Sequence, residues 1–220
     1  ELHRGQQQRG FAFVAARRAV RPGAVSFLAA DAFDPGFFAP ADALPPTPQV
    51  LALGRALFAE PALSGAAGRS CASCHLPDKA YADGLRVNRS LQPGTDLARN
   101  TPTLLNAALQ PEQFYDGRVR FLEDQVHAVV TNQAEMGGRL DAVPAALRRR
   151  KPYTRLFAAA FPTEARPLTE PNIRRALAAY VRSLTALNTR FDQFLRGDTT
   201  VLAAEEVRGF NLFMGKAQCG

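Results

Sequence analysis

The sequence has no tryptophan, and its 220 residues include only three cysteines and three histidines. Segments with the alternating pattern of β-strands are nearly absent, which argues against the βαβ unit that accompanies a thioredoxin-like dithiol. The longest uncharged stretches, such as residues 43–54, are much shorter than a bilayer crossing requires. Residues 11–16 are also short for the core of a signal peptide, so no targeting segment is expected. With 46% hydrophobic and 21% charged residues, the composition predicts a globular chain.

The chain is basic, with a formal net charge of +7 that comes mostly from arginine. One interpretation is an anionic partner, such as an acidic electron-transfer protein, attracted by this charge. The other is that the arginines are spread over solvated helix faces. A nucleic-acid partner is not expected, because the basic residues are neither interleaved with aromatic residues nor part of a known reading motif.

Residues 71–75 read Cys-Ala-Ser-Cys-His, the C-x-x-C-H attachment sequence for c-type haem. In such a motif the thiols of Cys71 and Cys74 add to the porphyrin vinyl groups, and His75 ligates the iron. A gap of two residues suits one helical turn, which places both sulfurs on the same side. A zinc site would need a second pair of ligands, and His127 and Cys219 are too isolated to supply one. The motif therefore predicts one covalently attached haem c.

The remaining pattern predicts an all-α fold. Thr47 and Pro48 form an N-cap and first helical position, which open a helix that ends before Pro61. Four more helices are expected from apolar residues at helical spacing and from capping residues. They run from Thr101-Pro102 to Leu109, through residues 122–129, over 170–187 after the cap Thr169, and over 203–214.

A weak internal repeat links the two ends of the chain. Residues 54–58 (Gly-Arg-Ala-Leu-Phe) precede the first cysteine pair, and residues 209–213 (Gly-Phe-Asn-Leu-Phe) precede Cys219. Cys219 is either the first cysteine of a second haem motif, cut after its second residue, or a lone thiol in a frayed tail. The first interpretation also accounts for the odd number of cysteines.

Nine blocks in order carry a resemblance to a known family: residues 53–58, 63–65, 71–75, 81–84, 99–106, 113–118, 122–125, 135–137 and 212–220. The chain resembles the bacterial di-haem cytochrome c peroxidases, including the relatives that build tryptophan tryptophylquinone cofactors. The match runs from about residue 51 to residue 220. It favours the second-haem interpretation of Cys219, and it implies that the sequence is an N-terminal fragment of a longer enzyme.

The resemblance implies two cytochrome c-like domains in the periplasm, each with one haem. Residues 1–46 would be an irregular N-terminal extension, 47–190 the domain with the peroxide-reacting haem, and 191–220 the start of a truncated second domain. The residues that match the family's distal pocket are Gln113 and Glu123. A carboxylate in a poorly solvated pocket can move a proton from the inner to the outer peroxide oxygen, and a neutral amide can orient the peroxide.

The sequence departs from the family pattern at several positions. Many relatives carry a distal histidine after the first haem motif, but no histidine lies between His75 and His127. We therefore expect a five-coordinate, high-spin first haem that needs no reductive activation, with His127 as the one imidazole that could intervene. Tyr115 stands where many relatives have tryptophan. Asn100 is expected either to donate to a calcium ion or to cap the helix that begins at Thr101. Met136 and Met214 are expected to pack in the core.

The leading functional hypothesis is a peroxidase that reduces hydrogen peroxide with electrons relayed through the second haem. Its electron donor would be a small cytochrome or cupredoxin, and the resemblance also allows a homodimer. Two alternatives remain open. One is an electron-transfer c-type cytochrome without a substrate site, and the other is an oxidase or oxygenase that uses the same scaffold on another substrate.

Overall fold

The computed structural model describes residues 33–65 and 68–219. The N-terminal extension predicted over residues 1–46, including the segment 11–16, therefore lies mostly outside the described part. The described residues form helices and turns, with isolated β-bridges in place of strands. The helices are α1 (Pro48–Phe58), α2 (Leu122–Thr131), α3 (Val143–Arg148), α4 (Lys151–Ala160), α5 (Glu170–Ser183), α6 (Arg190–Leu195) and α7 (Ala204–Met214). The predicted all-α fold is confirmed.

The predicted N-terminal caps of α1 and α5 are confirmed. The Thr47 hydroxyl accepts a hydrogen bond from the Val50 backbone N–H at 3.3 Å, and α1 ends at Phe58, before Pro61. Thr169 caps α5 in the same way, accepting from the Asn172 N–H at 3.4 Å. Helix α5 ends at Ser183, earlier than the predicted residue 187.

The helix predicted from Thr101 to Leu109 is wrong, because only a short 3₁₀ turn at Ala107–Leu109 forms there. The Thr101 hydroxyl donates to the Asp83 carboxylate at 2.7 Å instead of capping a helix. Asn106, just before the turn, has a left-handed backbone with φ of +62°. The side chains of this segment thus bond across the loop, which holds the backbone away from helical geometry.

The core is built around the crossing of α1 and α5, and α4 and α2 pack beside it. The crossing is closest at Gly54, where an added Cβ would lie 2.3 Å from the Ala176 carbonyl oxygen and 2.6 Å from the Tyr180 Cβ. Only glycine allows this approach. Buried apolar residues from both helices fill the interface: Val50, Leu53, Leu57, Ile173, Ala176 and Leu177.

Helices α6 and α7 pack against each other at the C-terminal end. The rings of Phe191 and Phe210 meet edge to face at 5.1 Å, and Arg190 forms a 2.6 Å ion pair with Glu206. Met136 is buried in the core, as predicted, but the prediction for Met214 is wrong, since it is 52% exposed. Its neighbours on α7, Leu212 and Phe213, are also more than half exposed.

No helix in the described part of the chain combines the length and apolarity that crossing a membrane would require.

Substituting Gly54→Ala tests the helix crossing. The new methyl group would collide with the α5 backbone, so we expect the free energy of unfolding to fall by about 1–3 kcal/mol, the usual cost of overpacking. Urea denaturation measures this change. Gly209→Ala is the matched control from the second copy of the repeat, because a Cβ there meets nothing within 4 Å. An unchanged midpoint for Gly54→Ala would contradict the close crossing.

Candidate functional site

The C-x-x-C-H motif folds into one turn of 3₁₀ helix over Cys71–Ser73. Ser70 and Ser73 cap this turn, with the Ser70 N–H donating to the Ser73 hydroxyl at 3.0 Å. The N–H groups of Cys74 and His75 both donate to the Cys71 carbonyl, at 3.2 and 2.9 Å. This is the turn that the two-residue gap predicts. It places Cys71 and Cys74 one turn apart, and His75 follows Cys74 in the sequence.

Both thiols of the motif are free and partly buried. Burial raises the pKa of Cys71 to about 12 and also raises the pKa of Cys74. A redox dithiol requires a thiol with a lowered pKa, so this environment disfavours that alternative. In residues 33–65 and 68–219, no cluster of three or more Cys, His, Asp or Glu side chains supports a zinc site.

The His75 ring is oriented by its own loop. Its Nδ1 lies 2.8 Å from the Tyr81 carbonyl oxygen, so Nδ1–H donates there and Nε2 is the nitrogen that could ligate a metal. The Pro102 backbone also forms a hydrogen bond with the ring. Ala80 and Tyr81 adopt consecutive left-handed conformations, with φ of +54° and +58°, and so turn this carbonyl towards the ring. Burial lowers the pKa of His75, which favours the neutral ring that ligation requires.

An aromatic cluster connects this loop to the helix crossing. The Phe58 ring of α1 lies 5.2 Å from the Tyr180 ring of α5 and 6.4 Å from the His75 ring. The hydroxyl groups of Tyr81 and Tyr180 are 3.3 Å apart, and burial raises the pKa of Tyr180 to about 12. The cluster fixes the distance between the motif and the two central helices.

Asp83 is the buried centre of the loop that follows the motif. Its Oδ2 accepts hydrogen bonds from the Thr101 hydroxyl at 2.7 Å and the Asn88 amide at 2.6 Å, and its Oδ1 accepts from the Leu85 N–H at 2.9 Å. Burial acts to raise the pKa of Asp83, but these hydrogen bonds outweigh it and hold the pKa below its ordinary value. Sequence reasoning noted residue 83 only within the 81–84 block and missed this role.

Gln113, the predicted amide of the site, is buried on a tight loop. Its N–H bonds to the Val119 carbonyl at 2.6 Å, and Phe114 and Gly117 take positive φ values of +66° and +64°. The side-chain amide nitrogen donates to the Ala107 carbonyl at 3.3 Å. The loop therefore holds the amide in one orientation.

Glu123, the predicted carboxylate of the site, lies in the first turn of α2 and is only 7% exposed. Its Oε1 pairs with Nη2 of Arg182 in the last turn of α5, which is 8% exposed. Glu123 Oε2 and Arg182 Nη1 have no hydrogen-bond partner in the described protein. The sequence analysis did not single out Arg182, although a buried carboxylate needs a countercharge.

Asn106 links the segments that hold Gln113 and Glu123 in place. Asn106 donates its N–H to the Leu184 carbonyl at 2.9 Å, and its side-chain oxygen accepts from the Ala186 N–H at 2.8 Å. The neighbouring Ala107 carbonyl anchors the Gln113 amide. The end of α5, which carries Arg182, and the turn that holds Gln113 are thus joined in one frame.

The other predicted residues lie apart from this frame. His127 is half exposed, and its Nδ1 lies 3.4 Å from Glu170 on the outer faces of α2 and α5, which disfavours it as an iron ligand. Asn100 is exposed and caps no helix, because the predicted helix is absent. Tyr115 is 88% exposed, with the Arg99 guanidinium 5.1 Å from its ring. Cys219 is exposed near the C-terminus.

Comparison with known proteins relates most of the chain to one family. The family model for di-haem cytochrome c peroxidase matches residues 48–200. Methylamine utilization protein MauG of Methylorubrum extorquens is 39% identical over 177 residues, which cover 80% of this chain and 49% of that protein. Cytochrome c551 peroxidase of Pseudomonas aeruginosa is 34% identical over 164 residues, which cover 74% of this chain and 46% of that protein. The chain spans about half the length of these relatives.

Solved structures show the same fold. A MauG-like protein associated with microbial copper homeostasis superposes with a TM-score of 0.73 at 31% identity, covering 80% of this chain and 51% of that chain. The diheme peroxidase BthA from Burkholderia thailandensis superposes with a TM-score of 0.66 at 28% identity, covering 83% of this chain and 49% of that chain.

Substituting Asp83→Asn tests the loop centre and its pH dependence. An amide cannot accept all of the hydrogen bonds that the carboxylate accepts, so we expect a loss of about 1–3 kcal/mol at neutral pH. Because folding lowers the pKa of Asp83, its contribution is fully present above the ordinary value of 3.8 and is lost as the pH falls through the lower folded value. Denaturation midpoints from pH 6 down to about pH 2 should therefore vary less in the variant.

The exposed Asp141, paired with Arg139 at 2.7 Å, provides the control, and Asp141→Asn should leave the midpoint at neutral pH unchanged. A loss for Asp83→Asn that is no larger than this control's would contradict the role of Asp83.

Proposed function

The chain belongs to the di-haem cytochrome c peroxidase family, and we propose that it carries the peroxide-reacting haem of an enzyme that reduces hydrogen peroxide to water. The observation that carries the proposal is the buried Glu123 carboxylate, one oxygen of which has no hydrogen-bond partner among the described residues. An electron-transfer cytochrome has no need for such a group.

The residues of the motif suit a haem c. Cys71 and Cys74 would form the two thioether bonds, since the 3₁₀ turn presents free thiols with no metal or disulfide partner among the described residues. His75 would supply Nε2 as the proximal ligand, because the Tyr81 carbonyl already holds Nδ1–H. When bound, the haem iron supplies the redox chemistry that breaks the O–O bond.

Glu123 would transfer the proton. Hydrogen peroxide needs two electrons and two protons to give two water molecules, and a proton must leave its inner oxygen and reach its outer oxygen as the bond breaks. A buried carboxylate within hydrogen-bond reach can accept that proton and return it. Gln113 would orient the peroxide without adding charge, since its amide is held by the Ala107 carbonyl.

The proposal extends to the rest of the enzyme. Residues 47–190 would form the first haem domain, and residues 191–220 would begin a second, with Cys219 as the first cysteine of its haem motif. The exposed apolar side chains of Leu212, Phe213 and Met214 support this, because large apolar side chains grouped at a surface often mark a contact with another part of a protein. A small cytochrome or cupredoxin in the periplasm would deliver electrons to the second haem. Calcium at Asn100 and a homodimer belong to the same proposal.

A second candidate is an oxidase that acts on a substrate other than peroxide. The 39% identity to a protein named for methylamine utilization favours it. Such an enzyme could retain the same motif and carboxylate, so the substrate would differ rather than the architecture described here.

Substituting Glu123→Gln tests the proton-transfer role. The amide keeps the shape but cannot take up a proton, so we expect the haem-loaded protein to react with peroxide at least about tenfold more slowly. Stopped-flow absorption at the Soret band measures the rate constant. Asp124→Asn, the neighbouring exposed position on α2, should react like the wild type. Equal rates for wild type and Glu123→Gln would contradict the role.

Substituting His127→Ala tests the coordination of the first haem. His127 lies in a surface pair with Glu170, so we expect the ferric spectrum of the variant to match the high-spin, five-coordinate spectrum of the wild type. A low-spin wild type that becomes high-spin on this substitution would identify His127 as a ligand and overturn the expectation.

A further inference from the structure

We infer that Arg182 is a positioning residue for Glu123. Its guanidinium holds Oε1 of the carboxylate in place and leaves Oε2 as the oxygen that exchanges protons with the substrate. The inference rests on the proposed function, because it assigns a partner to the carboxylate through which that function would operate.

Glu123 and Arg182 meet where the N-terminal end of α2 packs beside the C-terminal end of α5. Glu123 occupies the first turn of α2, Arg182 occupies the last turn of α5, and the two helices pack along their length. Both side chains are more than nine-tenths buried, so the contact is shielded from solvent and from salt.

The bonding of this pair is incomplete in a specific way. Two charges removed from water are compensated only when their remaining polar atoms are also satisfied. Here Oε2 of Glu123 and Nη1 of Arg182 both lack a hydrogen-bond partner within residues 33–65 and 68–219. Oε2 is bonded to the same carboxyl carbon as Oε1, and Nη1 is bonded to the same guanidinium carbon as Nη2. Both atoms therefore lie close to the Nη2–Oε1 contact. A buried acceptor and a buried donor left over on one ion pair suit a small molecule that both donates and accepts, such as water or hydrogen peroxide.

The anchoring of Arg182 fits a positioning role. The chain just beyond it is held by Asn106, which bonds to the Leu184 carbonyl and to the Ala186 backbone. The neighbouring pair across the same two helices, Asp124 and Arg174, is different, because Asp124 is exposed, Arg174 is only partly buried, and the paired atoms are 3.4 Å apart. Among the ion pairs of the described residues, Glu123–Arg182 is the one in which both side chains are buried.

The test is a double-mutant cycle on the haem-loaded protein with Arg182→Met, Glu123→Gln and the combined variant. The readouts are the rate constant with hydrogen peroxide and the equilibrium dissociation constant for fluoride in the ferric state. Fluoride is a suitable probe because it binds ferric haem as its conjugate acid, whose proton a nearby carboxylate can keep. Arg182→Lys tests rescue, and Arg174→Met is the matched control on α5.

We expect Arg182→Met to lower the peroxide rate and weaken fluoride binding, each by at least about tenfold. Arg182→Lys should stay within about threefold of the wild type, because one ammonium donor can replace the single contact to Oε1. The combined variant should match Glu123→Gln within about threefold, since a residue that acts only through Glu123 adds nothing once the carboxylate is gone. Arg174→Met should match the wild type.

If the effects of the two single substitutions add up in the combined variant, the inference is overturned, because Arg182 would then act independently of Glu123. The role of Glu123 would remain intact. Equal losses in the Lys and Met variants would also overturn it. If Glu123→Gln alone changes neither readout, the proposed function and this inference fail together. Arg182→Met leaves a buried carboxylate unpaired and can fail to fold. Two variants then decide the question, because Arg182→Lys keeps both charges and the combined variant removes both.

Discussion

The close crossing of α1 and α5 at Gly54 is the constraint on which the rest of the structure depends. It brings the Phe58 ring of α1 against the Tyr180 ring of α5, and this pair supports the loop that carries His75 and Tyr81. The same crossing fixes α5, whose last turn holds Arg182. A glycine with no chemistry of its own thereby determines the spacing between the haem-attachment motif and the buried carboxylate.

The buried charges differ in how completely their hydrogen bonds are satisfied. Asp83 has its hydrogen bonds satisfied and acts as a structural centre for the loop. Glu123 and Arg182 are also buried, but one oxygen and one nitrogen of this pair have no hydrogen-bond partner in the part of the chain that the structure describes. Leaving buried polar atoms unpaired costs free energy, and such atoms are found mainly where a ligand or substrate completes the bonding.

Features that depend on local sequence could be predicted. The haem motif forms its turn from five consecutive residues, and Thr47 and Thr169 cap their helices through bonds three residues away. Features that depend on distant partners could not. Thr101 looked like a helix cap, but its partner Asp83 is 18 residues away. Arg182 was not singled out from the sequence, because its partner Glu123 is 59 residues away. The candidate residues were found through family resemblance, and the frame that holds them required the structure.

The central claim is that His75 ligates the iron of the haem attached to Cys71 and Cys74, and that Glu123 lies on the other side of this haem. A crystal structure of the haem-loaded protein tests this most directly. We expect thioether bonds from both cysteines, Nε2 of His75 on the iron, and the Glu123 carboxylate facing the opposite side. A structure in which Glu123 lies away from that open face, or in which another side chain occupies it, would contradict the account.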